Sequence, residues 1–256
     1  MKFILFAIIS VFTFSSFAQM NQVDSKGHRQ GEWGKTYEKS RVYMYRGQFN
    51  NDKPVGKFQY YYKNKHIRAI VNHDEGSNRS EAFFYHDNSR LMSYGIYHNM
   101  KKDSVWVNFT PEKRLSSTET FKNGELHGKK VVFYIPFDPN NKSRLASNVY
   151  NYVNGKLEGP TKELFENQST KSKGQYKDNR KVGVWVDYHH GGRRRNTIRY
   201  YKGRRHGWCF SYDSTGKELS KVYFYYGKEL RGKVLEEKLR TLKEKGINPN
   251  KGDGAK

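Results

Sequence analysis

The amino-acid sequence predicts an all-β fold, an elongated single-layer antiparallel meander of about nine β-hairpin repeats with a short C-terminal α-helix. Three observations predict it: the composition, a glycine-anchored motif with a period of about 24 residues, and an apolar stripe near the C-terminus. Aromatic residues make up 16% of the chain, although its mean hydropathy is −1.01. This composition excludes a wholly disordered chain and favours Tyr and Phe on half-buried strands.

The repeat is an octamer of the form aromatic-x-x-(Gly or Asn)-x-x-x-Gly, seen as FKNGELHG at 121–128 and YVNGKLEG at 152–159. We call its last residue the anchor. The anchors are Gly31, Gly56, Ser80, Ser104, Gly128, Gly159, Gly183, Gly207 and Gly232. Successive anchors lie 24 or 25 positions apart, except for a gap of 31 before Gly159. Pro136–Ser143 lies in that gap and predicts a protruding loop.

A second register has the same phase as the anchors. Two residues after an anchor stand Trp33, Phe58, Trp106 and Trp185, with exceptions at Ala82, Lys130, Thr161 and Cys209. Asn123-Gly124 and Asn154-Gly155 are strong signals for tight hairpin turns. A glycine anchor suits a β-bulge or a close backbone approach. Each repeat therefore predicts two short strands, and pairing between neighbours extends the sheet.

This pattern resembles the MORN-repeat family, in the variant form found in exported bacterial proteins. Residues 121–128, 152–159 and 176–188 match the core Tyr-x-Asn-Gly-x-x-x-Gly best, and the resemblance covers about residues 24–232. It implies a twisted antiparallel meander, one sheet thick, that serves mainly in protein–protein and membrane-proximal assembly. Ser80 and Ser104 depart from the glycine anchor, which predicts irregular third and fourth repeats.

The chain divides into four predicted parts. Residues 1–18 are typical of a secretory signal peptide, which leaves no transmembrane segment after cleavage. The repeat domain spans 19–232, an amphipathic helix spans 233–245, and a disordered tail spans 246–256. The expected apolar stripe of the helix is Leu230, Val234, Leu235, Leu239 and Leu242. The helix caps the last hairpin or docks a partner. The leader predicts export, to the periplasm, the outer membrane or the medium.

The net charge of +23 is concentrated between residues 171 and 217, which hold 13 Lys and Arg against 3 Asp. The predicted binding residues for an anionic partner are Arg193, Arg194, Arg195, Arg199, Lys202, Arg204 and Arg205. Export argues against nucleic acid and leaves lipid phosphates, acidic glycans and acidic proteins. The alternative is a solvated face that keeps the sheet soluble. Replacing Arg193, Arg194, Arg195, Arg204 and Arg205 with Ser should barely affect folding, whereas replacing Gly191 or Gly207 should cost more.

No catalytic, cofactor-binding or metal-ligating set is predicted. Cys209 is the only cysteine, and the repeat explains His206 beside it, so neither a Cys–His nucleophile nor a zinc site is expected. The leading hypothesis is a non-catalytic exported scaffold that contacts an envelope protein, in its narrowest form an accessory subunit of an outer-membrane secretion or assembly complex. The alternatives are a binding module for anionic lipid, lipopolysaccharide or cell-wall glycan, and an antitoxin-like or immunity protein.

Overall fold

The computed structural model describes residues 19–138 and 143–251. The predicted signal peptide, the tip of the predicted loop at 139–142 and residues 252–256 lie outside the described residues. The described chain forms one 20-stranded sheet and one helix.

The first ten strands are β1 (Gln22–Val23), β2 (Arg29–Thr36), β3 (Tyr43–Asn50), β4 (Lys53–Tyr61), β5 (Ile67–His73), β6 (Arg79–Tyr85), β7 (Leu91–His98), β8 (Lys101–Phe109), β9 (Leu115–Lys122) and β10 (Glu125–Phe133). The remaining elements are β11 (Ala146–Val153), β12 (Lys156–Leu157), β13 (Gly159–Leu164), β14 (Thr170–Lys177), β15 (Arg180–Tyr188), β16 (Arg194–Tyr201), β17 (Arg204–Arg205), β18 (Gly207–Tyr212), β19 (Glu218–Tyr225), β20 (Lys228–Leu230) and α1 (Gly232–Glu244).

Strands that follow one another along the chain pair antiparallel, apart from β12 with β13 and β17 with β18, which confirms the predicted single-layer meander. The short β12 and the following β13 both pair with β11, as two parts of one interrupted strand. In the same way, β17 and β18 both pair with β16. Within the described ranges β1 pairs only with β2, and β20 only with β19. The sheet is therefore open.

The octamers form two-residue hairpin turns along one side of the sheet, here called the octamer side. Asn123 and Gly124 have φ of 53° and 89°, and Lys202 and Gly203 have 48° and 83°. Two successive positive φ values define the type I′ turn, whose twist matches that of the flanking strands. The same pair of positive values recurs at 51–52, 99–100, 154–155, 178–179 and 226–227. The octamer is thus a hairpin motif, as predicted.

The anchors within the sheet adopt positive φ, except for Ser80, and Gly232 has the same conformation at the start of α1. The glycine anchors Gly31, Gly56, Gly128, Gly159, Gly183, Gly207 and Gly232 have φ between 51° and 110°. Ser104 has the same conformation, with φ of 57°, so the fourth repeat is regular despite its serine. Ser80 instead lies in extended β6 and pairs directly with His73, while the positive φ of this repeat falls on Gly76. The prediction of an irregular repeat is therefore confirmed for the third repeat and wrong for the fourth.

Longer turns occupy the opposite side of the sheet, here called the loop side, and side chains link them from one repeat to the next. The Tyr37 hydroxyl donates to the Tyr61 carbonyl at 2.7 Å, and the Tyr62 hydroxyl donates to the Tyr85 carbonyl at 2.8 Å. His189 Nε2 lies 3.0 Å from the Tyr212 carbonyl oxygen. Each donor stands six residues after an anchor, so the motif itself ties neighbouring loops together.

The helix α1 packs on the last two strands. Leu242, Leu235 and Leu239 lie against Tyr223 and Leu230 in one cluster. The predicted helix is confirmed, but Val234, which we expected in its apolar stripe, is 61% exposed. The cluster favours the capping role, because α1 buries apolar surface on the terminal hairpin. No helix in the described part of the chain has the length and apolarity needed to cross a membrane.

The prediction of a disordered tail is wrong for residues 246–251. The Tyr223 hydroxyl donates to the Pro249 carbonyl at 3.0 Å, and the Trp208 amide donates to Asn250 Oδ1 at 3.1 Å. His206 Nε2 lies 3.1 Å from the Lys251 carbonyl oxygen. These contacts reach back across β18 and β19, so a segment of low-complexity sequence is held by tertiary hydrogen bonds.

Candidate ligand-binding cleft in the third repeat

A row of aromatic rings runs across one face of the sheet, here called the front face, which carries Phe58, Trp106 and Trp185. Trp106 is fully buried, with its ring centroid 5.1 Å from that of Tyr97 and 6.4 Å from that of Phe121. Both contacts are edge-to-face, the arrangement that the ring quadrupoles favour. The rings of Phe58 and Trp185 are flanked in the same way by the rings on either side.

Glycine makes room for each of these three rings on the preceding strand. A Cβ at Gly47 would lie 2.4 Å from the Phe58 ring, and one at Gly95 would lie 2.4 Å from the Trp106 ring. At Gly174 the corresponding distance to the Trp185 ring is 2.2 Å. These glycines stand nine residues before the anchors. Our reading of the sequence missed them, although their pairing with a large residue two positions after the anchor was visible.

Cations cover the outer side of the row. Lys102 Nζ lies 4.2 Å from the centre of the Trp106 ring, and Lys181 Nζ lies 4.0 Å from that of Trp185. The Arg205 guanidinium lies 5.2 Å from the Phe224 ring. These residues stand two positions before an anchor, so part of the basic character is used in cation–π contacts within the fold.

Four repeats have no aromatic residue two positions after the anchor. In three of them, a side chain larger than valine stands at the glycine position of the preceding strand. Lys130 forms an ion pair of 2.7 Å with Glu119. Tyr150 stands nine residues before Gly159, where the regular repeats have glycine, and accompanies Thr161. Ile198 likewise stands nine residues before its anchor, Gly207, and accompanies Cys209. The fourth gap is at Ala82, where Val71 occupies the glycine position.

The gap in the third repeat is an open cleft of about 530 Å³. Its floor is formed by Ala69 and Val71 of β5, and Ala82 is fully buried in the adjoining strand. Tyr60 and Phe84 form opposite walls along the next row of the front face. The corresponding gap at Thr161 leaves a smaller cleft of about 240 Å³, lined by Tyr150 and several polar side chains. The cleft of the third repeat therefore has about twice the volume of the corresponding cleft at Thr161, and its lining is more apolar.

The lining of the cleft also carries polar groups, on Tyr60, Tyr62, Arg68, His73, Ser80 and Tyr97. His73 Nδ1 lies 2.8 Å from Ser80 Oγ at one end, and the Arg68 guanidinium lies 6.0 Å from the Tyr60 ring at the rim. Burial lowers the pKa of His73, and burial raises the pKa of Tyr60 and of Tyr97. His73 and both phenols are therefore neutral at neutral pH, which suits a non-ionic ligand.

The His73–Ser80 contact contains two of the three side chains of a Ser–His–Asp triad. A serine nucleophile needs a base that a third group orients, and donors for the oxyanion. No carboxylate hydrogen-bonds His73 in the described part of the chain, and its ring packs edge-to-face on Phe58 at 5.2 Å. Within the described residues the pair therefore lacks the group that orients the histidine of such a triad.

The front face changes character beyond the cleft. One row of cross-strand partners begins with Tyr45, Tyr60 and Phe84. From β7 onward the same row is mostly Ser, Asn, Asp and Glu, as at Asn108 and Asp187. Hydrogen bonds join neighbours along it, including Asn108 Nδ2 to Ser117 Oγ at 3.0 Å and Ser172 Oγ to Asp187 Oδ1 at 2.7 Å. The cleft therefore lies in the apolar third of the sheet.

The predicted anion-binding residues are not gathered at one place. Arg193, Arg194 and Arg195 lie at the loop side of β16, whereas Lys202, Arg204 and Arg205 lie at its octamer side. Because Arg205 pairs with Tyr200, the nearest members of the two groups, Arg195 and Arg205, are separated by about five residues of strand, or roughly 17 Å. Arg199 lies between them and is half-buried. One compact anion cannot contact both groups.

Several of these side chains also have partners within the fold. Arg193 Nη1 donates to the Thr215 carbonyl at 2.8 Å, and Arg205 covers the Phe224 ring. The side chain of Arg204 lies along Gly227, 3.7 Å from the position of an added Cβ. Side chains of the basic stretch therefore contact the neighbouring turns and strands, although we expected them to contribute little to the fold.

The glycines beside the basic stretch behave differently from each other. Gly207 has φ of 87°, and a Cβ there would lie 2.9 Å from Asn250 Cα, so the expected cost of replacing it is supported. The expectation for Gly191 is wrong, because its φ is not positive and an added Cβ would meet nothing within 4 Å. The positive φ of that turn, 79°, belongs to Gly192.

Cys209 is 7% exposed, and burial raises the pKa of its thiol, so the thiolate is disfavoured. His206 beside it is 1% exposed and packs among the rings of Tyr201, Tyr225 and Tyr226. The described residues contain no group of three or more His, Cys, Asp or Glu side chains that could hold a metal ion.

Comparison with known proteins assigns neither a family nor an activity. No family model matches the chain, and no curated protein matches it. Among solved structures it is similar to S. aureus TarM, at 12% identity and a TM-score of 0.24, over 51% of this chain and 20% of that one. It is also similar to a porin-like protein from Bacteroides uniformis, at 10% identity and a TM-score of 0.18, over 78% and 92%. Alignments at these scores carry no argument about fold or function.

Proposed function

We propose that this protein is a non-catalytic, MORN-like scaffold of the bacterial cell envelope, and that it binds a partner protein through the cleft of its third repeat. The apolar cleft of about 530 Å³ is the observation that carries the proposal. Its volume falls within the range of about 300–1,000 Å³ that is usual for ligand sites. An accessory subunit of an outer-membrane secretion or assembly complex remains the narrowest form of the hypothesis.

The arrangement of the repeats supports binding over catalysis. The repeats occupy most of the described chain, so few residues remain for a separate catalytic domain. Stacked repeats create extended surfaces that repeat proteins use for binding. Here the irregular unit, with Ser80 as its anchor and Ala82 two residues later, is also the unit that holds the cleft.

Glycan binding is the second candidate, and the polar row favours it. Asn108, Asp187 and Asn196 lie on the same face of the sheet as Trp106 and Trp185, so polar and aromatic contacts are both available to a sugar there. The division of the basic residues between two sides of the sheet disfavours a compact lipid headgroup. The two candidates occupy different parts of the front face and can be tested separately.

Co-purification from solubilised envelopes tests the proposal. Met100 is 78% exposed at the rim of the cleft, and aspartate tolerates its positive φ. Met100→Asp should fold normally and lose the partner. Val105→Asp is the matched control, because Val105 is 51% exposed in the next strand and points to the opposite face from Trp106. Recovery of the wild-type protein alone, or equal recovery of the partner by both variants, would contradict the proposal.

A further inference from the structure

We infer, on the basis of the proposed function, that the cleft is a socket for one aromatic side chain of the partner protein. The incoming ring would take the place in the aromatic row that Ala82 leaves unfilled. This assignment follows from the geometry of the regular repeats, which fixes the surroundings of every ring in the row.

In the regular repeats a ring has three defined neighbours. The ring of Trp106 lies over Gly95 and is flanked by Tyr97 and Phe121. Counted from the anchor Ser104, these neighbours stand nine and seven residues before it and seventeen residues after it. Phe58 and Trp185 have neighbours at the same three offsets from their own anchors.

The third repeat lacks the ring, keeps a ring at the two flanking positions, and has valine where the regular repeats have glycine. From the anchor Ser80 the same offsets lead to Val71, His73 and Tyr97, and all three line the cleft. His73 packs on Phe58 at 5.2 Å and Tyr97 on Trp106 at 5.1 Å, so each also belongs to the neighbouring aromatic group. A ring between them would continue the row without displacing either residue.

The floor of the cleft favours a ring supplied from outside. Val71 replaces the glycine on which the chain's own rings lie, so a side chain from position 82 could not lie flat against the strand. A ring entering from solvent can rest higher, on the methyl groups of Val71 and Ala69. The edges of His73 and Tyr97 would then face it in the T-shaped arrangement that stabilises the rest of the row.

A sugar ring fits this cleft less well than an aromatic ring. The His73 ring nitrogen and the Ser80 hydroxyl are hydrogen-bonded to each other. Hydroxyl groups placed directly over the methyl groups of Ala69 and Val71 would lose water without gaining a partner from those two side chains, which is unfavourable. An indole or phenyl ring carries no such cost, and Met92 and Met100 at the rim offer sulfur contacts that aromatic rings favour.

Methionine methyl groups provide a direct test by NMR. The full chain, labelled with ¹³C at its methionine methyls, is titrated with a capped Gly-Trp-Gly peptide. Ring currents should shift the Met92 and Met100 signals, whereas Met20 and Met44, which lie outside the cleft, should not move. The peptide Gly-Ala-Gly and methyl β-D-glucopyranoside serve as control ligands. No shift with the tryptophan peptide, or equal shifts with either control ligand, would overturn the inference.

A filled cleft provides the second arm. Val71→Gly combined with Ala82→Trp recreates the Gly95–Trp106 pair inside the third repeat. The double variant should fold, as shown by circular dichroism, and should no longer respond to the peptide. If it does not fold, Tyr97→Leu replaces it as the test. Loss of one edge-to-face contact should weaken binding by about two- to tenfold, and unchanged affinity would count against the socket.

The two proposals can fail independently. If the peptide does not bind and Met100→Asp still loses the envelope partner, the aromatic socket is wrong and the scaffold proposal stands. If the peptide binds in the cleft and no partner is recovered from envelopes, the socket stands and the scaffold proposal fails.

Discussion

Gly95→Ala tests whether the aromatic row holds the sheet together. The added Cβ would lie 2.4 Å from the Trp106 ring, more than 1 Å inside the optimal carbon–carbon separation of about 3.5–4.0 Å. The ring cannot retreat easily, because Trp106 is fully buried and its Nε1 donates to the Ile96 carbonyl at 3.1 Å. Overpacking costs about 1–3 kcal/mol, and we expect a loss near the upper end of that range.

Gly191→Ala is the matched control, since it has no positive φ and open space around the new methyl group. It should be neutral or stabilise the fold by about 0.4–1 kcal/mol. Urea unfolding followed by circular dichroism measures both changes. In a Trp106→Leu background the cost of Gly95→Ala should largely disappear, because the clash is with the indole. If Gly95→Ala is as harmless as Gly191→Ala, the account of the row is refuted.

Three further predictions concern other parts of the fold. Asn250→Ala should destabilise the protein by about 1 kcal/mol in urea unfolding, since it removes the side-chain acceptor of the Trp208 amide; an unchanged midpoint would mean that the tail contributes nothing. Burial lowers the pKa of His73, so below pH ~6.5 the unfolded chain binds more protons than the folded chain, and the folded state loses stability as the pH is lowered. The melting temperature of His73→Phe should therefore decrease less between pH 7 and pH 5 than that of the wild type. Arg195→Ser should stay within about 0.5 kcal/mol of wild type, whereas Arg193→Ser should cost about 0.5–1.5 kcal/mol in the same assay because it frees the carbonyls that this guanidinium holds.

The fold could be predicted from the sequence because its signals are local. Asn123-Gly124 specifies a type I′ turn by itself, and a glycine anchor specifies a bulge. Ser104 adopted the glycine conformation anyway, since the pairing on both sides holds the bulge in place. The ordered tail could not be predicted in this way. Asn250 and Pro249 bond to residues more than 20 positions away, and such contacts leave no periodic pattern.

The site was only partly visible in the sequence. Ala82 was recognised as an exception in the row, but the effect of losing a ring depends on the strand over which that ring lies. The structure shows that each ring lies over the preceding strand, so the shape of the gap at Ala82 depends on Val71 of that strand. The basic stretch misled for the converse reason. Arg194 and Arg204 are close in sequence, yet they lie at opposite ends of a strand that separates them.

Site-specific photo-cross-linking in intact cells tests the central claim most directly. A photoreactive phenylalanine analogue is placed at Met100, at the rim of the cleft, or at Tyr94, which is 38% exposed on the opposite face. Our account predicts one dominant adduct with an envelope protein from Met100 and none from Tyr94. The same adduct from both positions, or from Tyr94 alone, would contradict the claim that the cleft of the third repeat is the binding site.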